Sequence, residues 1–313
     1  MYTPESIQPL VSVVLCTYNG DRYIRQQLDS ILSQTYSNIE LVVSDDASAD
    51  ATIAILEEYT QKDKRIRFFI NSKNIGYNKN FEKTIQLATS DLIAISDQDD
   101  IWEPEKIMTM MMQWPSSSAF IYSLSGNFTG NDFENRLSAP NVIYGPISGV
   151  HQLVFNSPVH GHACMFNKNL LAGCLPFPKD IFYDWWISMH AVASGTIGCV
   201  PQTLTWHRVH DNNFSRSIMS IKEKKERDEQ LRRQCVYFIE TFCNKNLLKE
   251  PDKASLLEYA LLLKTMDGKR FSLAMFRYVM RNRKKIFHYK KSKPFIEFSY
   301  LKHALHMGYK GLL

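Results

Sequence analysis

The sequence predicts an α/β protein built on a mostly parallel sheet, and three observations carry that expectation. Short, β-branched apolar runs alternate with amphipathic stretches four times between residues 10 and 114. Each run ends in a polar cluster, the place where open parallel sheets bind their ligands. The apolar fraction, 44% of 313 residues, is that of a packed globule and sets aside disorder or collagen-like repetition.

The elements follow in order. Residues 10–16 (LVSVVLC) form a continuous apolar run and predict a first strand. Residues 21–34 carry Ile24, Leu28, Ile31 and Leu32 at helical spacing. Residues 39–44 (IELVVS) predict a second strand, and Ser48 or Asp50 is placed to cap a helix over 51–61. A third strand follows at 65–70, a helix at 80–90, a fourth strand at 91–96, and a helix at 105–114 entered through Pro104. The stretch 115–150, rich in Ser, Gly, Asn and Pro, predicts a loop with short strands, and 151–215 continues the core. Beyond about 215 the sequence turns charged and helix-favouring, which predicts a domain over 1–215 and a helical extension over 216–313.

The net charge of +5 hides an asymmetry. Residues 218–313 hold 22 Lys and Arg against 10 Asp and Glu, leaving an acidic body and a basic tail. The six cysteines are scattered without C-x-x-C spacing, as free thiols in a reducing compartment are. No apolar stretch approaches ~18 residues, and MYTPESIQPL lacks a basic leader, so a cytosolic location is expected.

No two glycines stand two apart and no G-x-x-x-x-G-K-[ST] occurs, which excludes the dinucleotide and phosphate-loop fingerprints. Thr17, Tyr18, Asn19 and Gly20 after the first run also read as a simple turn, and Asp45 and Asp46 after the second as helix capping. The fourth cluster, Asp97-Gln98-Asp99-Asp100, is more specific. Three carboxylates in four residues repel unless a solvated turn or a hard cation relieves them.

The ordered segments VSVVLCTYNG, QLDSILSQTY, IELVVSDDASAD, NIGYNKNFEKTI and SDQDDIWEPEKI resemble the inverting glycosyltransferases of family 2. The likeness resumes at 161–171 and 181–213 and covers about two thirds of the chain; SDQDDIW, DWW and H-x-N-N are similar to its rhamnosyltransferase-like, O-antigen and capsule branch. The resemblance implies a nucleotide-diphospho-sugar transferase (GT-A) fold. It places Thr17, Tyr18, Asn19, Asp46, Lys79, Asp97 and Gln98 at the donor, Asp46 receiving the base, Asp97 the ribose and Lys79 the diphosphate. It puts Asp99 and His210 on a divalent cation, Mn2+ or Mg2+, with His207 as a rival and Arg208 or Arg216 assisting. Asp184 matches the general base, and a carboxylate beside Trp185 and Trp186 is desolvated into a stronger one. Trp185 or Trp186 would stack on an acceptor sugar and His162 would reach it, although the Asp-Trp-Trp group also reads as a buried cap and His162 as a core residue. Relatives usually carry Gly where Ala47 stands.

The tail segment 269–293 holds ten Lys and Arg and no acid, interleaved with aromatics. It reads as a solvated helical face or as an anchor on an anionic membrane, and the resemblance favours a lipid-linked saccharide acceptor over nucleic acid. The expected activity is sugar transfer from a nucleoside-diphosphate sugar at the inner face of a membrane, in surface polysaccharide synthesis. A sugar nucleotidyltransferase and a non-catalytic saccharide-binding descendant are the alternatives.

Overall fold

The computed structural model describes residues 8–130, 136–138, 145–210, 221–266, 270–287 and 296–312. Strands β1 (Val11–Thr17), β2 (Ile39–Asp45), β3 (Ile66–Ile70) and β4 (Leu92–Ser96) alternate with helices α1 (Ile24–Leu32), α2 (Thr52–Lys62) and α3 (Tyr77–Leu87). All four strands run parallel in the order β3-β2-β1-β4. The order reverses beside β1, so a crevice opens beyond the carboxyl ends of β1 and β4.

Strand alternation divides the core. Val11, Val13, Leu15, Leu41, Val43 and Ala94 pack on the α1 and α2 side, whereas Val14, Val42, Ile93 and Ile95 face the other. Because both faces are covered, these strands read as unbroken apolar runs.

The second half extends the sheet with strands of mixed direction. After β5 (Ile101–Trp102) and α4 (Lys106–Met112) comes β6 (Phe120–Thr129), with β7 (Arg136–Ser138) paired to its end. Helix α5 (Val150–Asn156) and a single 3-10 turn (Gly161–Ala163) lead into β8 (Cys164–Asn167). A further 3-10 turn at Lys168–Leu170, α6 (Leu171–Cys174), α7 (Tyr183–Ser194) and β9 (Ile197–Val209) follow. The complete order is β3-β2-β1-β4-β8-β6-β9-β5. Where a loop with short strands was expected, β6 is a ten-residue strand with its first half buried. Its partner β9 passes over Pro201 and Gln202 in a bulge, since Ser123 pairs with Val200 and Leu124 with Thr203. The bulge accommodates a proline that cannot donate to the ladder, and beyond it β9 runs on to pair with β5 beside the acidic turn.

Helices α8 (Ile221–Cys243), α9 (Asp252–Thr265), α10 (Leu273–Ile286) and α11 (Ile296–Lys310) complete the described chain. They share one core with the sheet: Phe238, Phe242, Tyr259, Tyr278 and Met307 join the cluster that holds Val14 and Trp186. The expected boundary near 215 lies outside the described residues. Of the basic segment 269–293 expected as an anchor, residues 270–287 are described. Helix α10 turns Met275, Tyr278, Val279 and Ile286 into the core, and Arg281, Arg283 and Lys285 pair with Glu258, Glu297 and Asp252. Its aromatic and aliphatic side is therefore already covered by protein. Among the described residues no helix is long and apolar enough to cross a membrane, and the six cysteines are free thiols.

Candidate active site

The acidic turn between β4 and β5 sends its four side chains in four directions. Gln98 turns back to β1, accepting from Tyr18 N (2.9 Å) and donating to Tyr18 O (3.1 Å). Gly20 makes this clamp possible, because a Cβ there would lie 2.4 Å from Gln98 Oε1. Gln98 was expected on the donor; its amide instead ties the ends of β1 and β4 together.

Asp97 approaches His162 Nδ1 at 3.3 Å. Asp99 meets His210 Nε2 at 2.8 Å, an oxygen and an imidazole nitrogen from positions 111 residues apart. Asp100 is fully buried, with Oδ1 3.0 Å from His207 Nδ1 and accepting from Arg208 N at 3.2 Å. Burial, then the charges of Asp100 and Asp97, push the Asp99 carboxyl up to about 6 against the opposing hydrogen bond from His210. Burial also opposes the charge on Asp100, but His162 and His207 outweigh it and hold this carboxyl ionised.

Arg208 was expected near the diphosphate, and the fold gives it another task. The side chain is fully buried between the rings of Tyr23 and Phe128, each 4.4 Å from the guanidinium carbon. Its Nε donates to Asp99 O (2.8 Å), and its other nitrogens donate to Gln26 Oε1 (2.6 Å) and Gly130 O. A guanidinium so placed fixes the backbone of Asp99 instead of reaching a ligand.

Asp184 lies in the first turn of α7, where the helix dipole favours a carboxylate. Oδ2 accepts from Gly161 N (3.0 Å) and Oδ1 from its neighbour Trp185 N (2.8 Å). Burial raises its affinity for a proton, the two backbone donors lower it, and the net shift is upward, helped by Asp97. His162, which meets Asp97, follows Gly161, whose N–H holds Asp184, so Asp97 and Asp184 flank one 3-10 turn, with Asp99 on the acidic turn beside Asp97. Tyr77, half exposed and packed on Phe81 and Tyr183, also feels Asp97 and Asp184, and the sequence reading missed it. Gly76, with φ +86° at the N-cap, gives the chain the left-handed entry to this helix.

The remaining expected residues separate. Thr17 is buried on Asp45 Oδ2 (2.8 Å), whereas Tyr18 stands half exposed at the rim. Asn19 takes a φ of +48° and accepts from Ala49 N, and Ala47 takes +62°, so the turn is left-handed where relatives carry Gly. Asp46 was expected to receive the base. It is buried and accepts from Asn71 Nδ2, Ile75 N and Gly76 N, organising the 71–76 loop. Lys79 is exposed on α3 and lines a groove of about 390 Å3 with Glu82, Lys83 and Phe177, away from the acidic crevice.

Both tryptophans make structural contacts. Trp186 is fully buried and donates to Cys174 O; Trp185 stacks on Phe238 at 3.8 Å and donates to Leu153 O. Burial of Trp186 corrects the expectation of sugar stacking there, whereas Trp185 is partly buried, with one face on Phe238, and lines a pocket with Phe155 and Phe182. His162 is likewise buried, its Nε2 on Ser125 Oγ (2.9 Å), and offers no edge to an acceptor. Asn212, Asn213 and Arg216 lie outside the described residues. A further buried group, Lys106, donates to His162 O (2.6 Å) over the Trp102 ring; its spacing to Met110 on α4 was the available signal.

Comparison with known proteins agrees with this geometry. Residues 12–173, more than half of the chain, match glycosyl transferase family 2. An uncharacterised glycosyltransferase of Haemophilus influenzae is 28% identical over 251 residues, 74% of this chain and 75% of that protein. A Bacillus subtilis protein provisionally assigned to teichuronic acid biosynthesis, TuaG, is 31% identical over 137 residues, 42% of this chain and 54% of its own. Among solved structures, S. aureus TarS 1–349 in complex with UDP-GlcNAc aligns with a TM-score of 0.60 at 18% identity, covering 96% of this chain and 89% of that one. The mannosyltransferase PcManGT of Pyrobaculum calidifontis, in complex with GDP-Man and Mn2+, aligns at 0.55 and 16% identity, covering 97% and 86%. These likenesses show the GT-A fold, and the family match with the acidic crevice leads to one conclusion: the chain belongs to glycosyl transferase family 2.

Proposed function

We propose that this protein transfers a sugar from a nucleoside-diphosphate sugar to a saccharide hydroxyl with inversion at the anomeric carbon. The observation that supports the reading is the meeting of the acidic turn after β4 with the 3-10 turn that holds Asp184, through Asp97–His162 and Gly161–Asp184, beside the Asp99–His210 pair. Asp184 removes the acceptor proton as the hydroxyl oxygen attacks the anomeric carbon. The bond from that carbon to the diphosphate breaks, and the nucleoside diphosphate leaves with the electron pair. The two backbone N–H groups on Asp184 hold the base in one orientation, and its raised proton affinity makes it a better acceptor at neutral pH.

Asp99 Oδ2 and His210 Nε2 fit a divalent cation. A carboxyl desolvated beside two other acids gains from a counter-charge, and an imidazole partner suits Mn2+ better than Mg2+. When bound, such a cation supplies the positive charge that stabilises the departing diphosphate. Asp97 is assigned to the ribose and Tyr18 to the donor rim. UDP-GlcNAc and GDP-Man in the related structures support a nucleotide-sugar donor; a rhamnosyl donor follows from the motif resemblance. TuaG supports a product of the cell-surface polysaccharide class; a lipid-linked acceptor follows from the motif resemblance.

The same reading makes 216–313 a helical extension of a 1–215 catalytic domain and brings the protein to an anionic membrane surface. The contact face is moved from α10 to α11, where Phe298, Leu301, Leu305 and Tyr309 form an exposed stripe at helical spacing beside Lys302. The deciding experiment incubates the protein with Mn2+, a short saccharide and a panel of nucleotide sugars. Release of nucleoside diphosphate, lowered at least ~100-fold in Asp184→Asn, is expected. With pyrophosphate added, its consumption to give a nucleoside triphosphate and a sugar 1-phosphate would turn the assignment to a nucleotidyltransferase, and normal turnover in Asp184→Asn would remove it as the base.

A further inference from the structure

Beside the Asp99 and His210 pair, the fold assembles a second group of ligands that sugar transfer does not require. Asp100 from the acidic turn, His162 from the 3-10 turn and His207 from β9 each offer an atom within 4.8 Å of the others. It is the one such trio of His, Cys, Asp or Glu among the described residues. Consecutive side chains diverge here: Asp99 points to His210, whereas Asp100 points to the two other histidines.

The geometry points to a second, buried transition-metal site at Asp100, His162 and His207, of the class that binds Zn2+. Three observations support it. First, His207 Nδ1 lies 3.0 Å from Asp100 Oδ1, and His162 Nδ1 lies 3.2 Å from Oδ2. Ligands joined to one tetrahedral ion by bonds of about 2.0–2.1 Å stand roughly 3.3–3.4 Å apart, so each imidazole nitrogen already stands near ligand spacing from one of the two Asp100 oxygens. Second, Asp100 is fully buried and its Oδ2 finds no hydrogen bond among the described residues, although His162 Nδ1 is near. A buried carboxylate oxygen that faces an imidazole nitrogen outside hydrogen-bond geometry gains from a cation set between the two. Third, the histidines are held for ligation. Their rings lie nearly parallel, 7° and 5.2 Å apart, and His162 Nε2 meets Ser125 Oγ at 2.9 Å, which fixes the ring with Nδ1 between Asp97 Oδ2 (3.3 Å) and Asp100 Oδ2 (3.2 Å). The His207 side chain, 26% exposed, provides the route of entry.

Two imidazole nitrogens and one carboxylate oxygen suit Zn2+ and disfavour Mg2+. An ion there would tie the acidic turn to β9 and to the turn whose Gly161 N–H holds Asp184. It would position both halves of the crevice without touching substrate.

The test uses the full chain, stripped with a chelator and titrated with Zn2+ by calorimetry, and with Co2+ by visible absorption. The wild type is expected to bind Zn2+ here and melt at a higher temperature with it. Asp99→Asn keeps that equivalent, its Co2+ spectrum and the melting shift. His162→Gln/His207→Gln loses them, with affinity at least ~100-fold weaker. The single variant His207→Gln, at the exposed end of the site, gives the same reading should the double variant fold poorly. Equal Zn2+ binding in wild type and His207→Gln, or loss of that equivalent in Asp99→Asn, overturns the assignment and leaves Asp100 as the partner of a protonated His207. Because binding and melting are read without donor or acceptor, the result is independent of the proposed transferase chemistry.

Discussion

Replacing Gly161 by alanine places one methyl at the joint between the candidate base and the aromatic core. A Cβ there would stand 2.2 Å from Tyr183 Oη, 3.0 Å from Tyr183 Cζ and 3.5 Å from Asp184 Cβ. Tyr183 cannot retreat, since it is fully buried with its ring stacked on Phe81 at 4.4 Å and flanked by Phe177 and Tyr77. The backbone of 160–162 must therefore shift, and with it the Gly161 N–H that holds Asp184 Oδ2 at 3.0 Å. Overpacking of this kind costs about 1–3 kcal/mol of stability. Weakening a hydrogen bond to a carboxylate, worth about 1.5–3 kcal/mol, misplaces the base and is expected to lower turnover roughly 10- to 100-fold. Urea denaturation and initial rates of nucleoside diphosphate release measure the two losses separately. Tyr183→Phe removes the oxygen that clashes first, so Gly161→Ala/Tyr183→Phe should recover at least half of the stability loss. Two changes that add without coupling, or a Gly161→Ala enzyme with normal rate and melting, refute the reasoning.

Three further expectations follow from the same coordinates. Ala47→Gly relieves an L-residue held at φ +62° and should stabilise the fold by ~0.5–1 kcal/mol, read as a higher urea midpoint with an unchanged slope. Asp184 binds protons more tightly in the folded than in the unfolded chain, so its contribution to stability falls as pH rises through the folded value; Asp184→Asn should melt above wild type at pH 7 and converge with it in acid, and a wild-type advantage at pH 7 would contradict this. For the same reason the acid limb of the wild-type rate profile should sit above the ordinary carboxylate range. Phe298→Ser/Leu305→Ser should leave melting within ~0.5 kcal/mol of wild type while reducing flotation with anionic vesicles; unchanged flotation would exclude α11 as the contact.

The sequence revealed chemistry more readily than direction. Strands β1 to β4 were legible because a parallel strand covered on both faces must be apolar throughout, as Val11 to Leu15 are. Strand β9 was not, because Pro201 breaks its pattern and only the bulge opposite Ser123 and Leu124 reconciles proline with a thirteen-residue strand. Within the site, the pairing of Asp99 with His210 followed from motif resemblance, whereas the partners of Trp185 and Trp186 were not legible, for a physical reason. A ring that would stack on a sugar stacks equally well on Phe238, supplied by a helix some fifty residues later, and no local signal distinguishes the two. Asp97, Gln98, Asp99 and Asp100 make the point most sharply. Four polar residues in a row were legible as a cluster, but the turn aims each at a different partner: His162, the Tyr18 backbone, His210 and His207. Those directions depend on β9 and the 3-10 turn arriving from about sixty to more than a hundred residues away. A carboxylate that looked redundant beside the motif, Asp100, thereby becomes the one acid of that turn that is fully buried, held between His207, Arg208 N and His162.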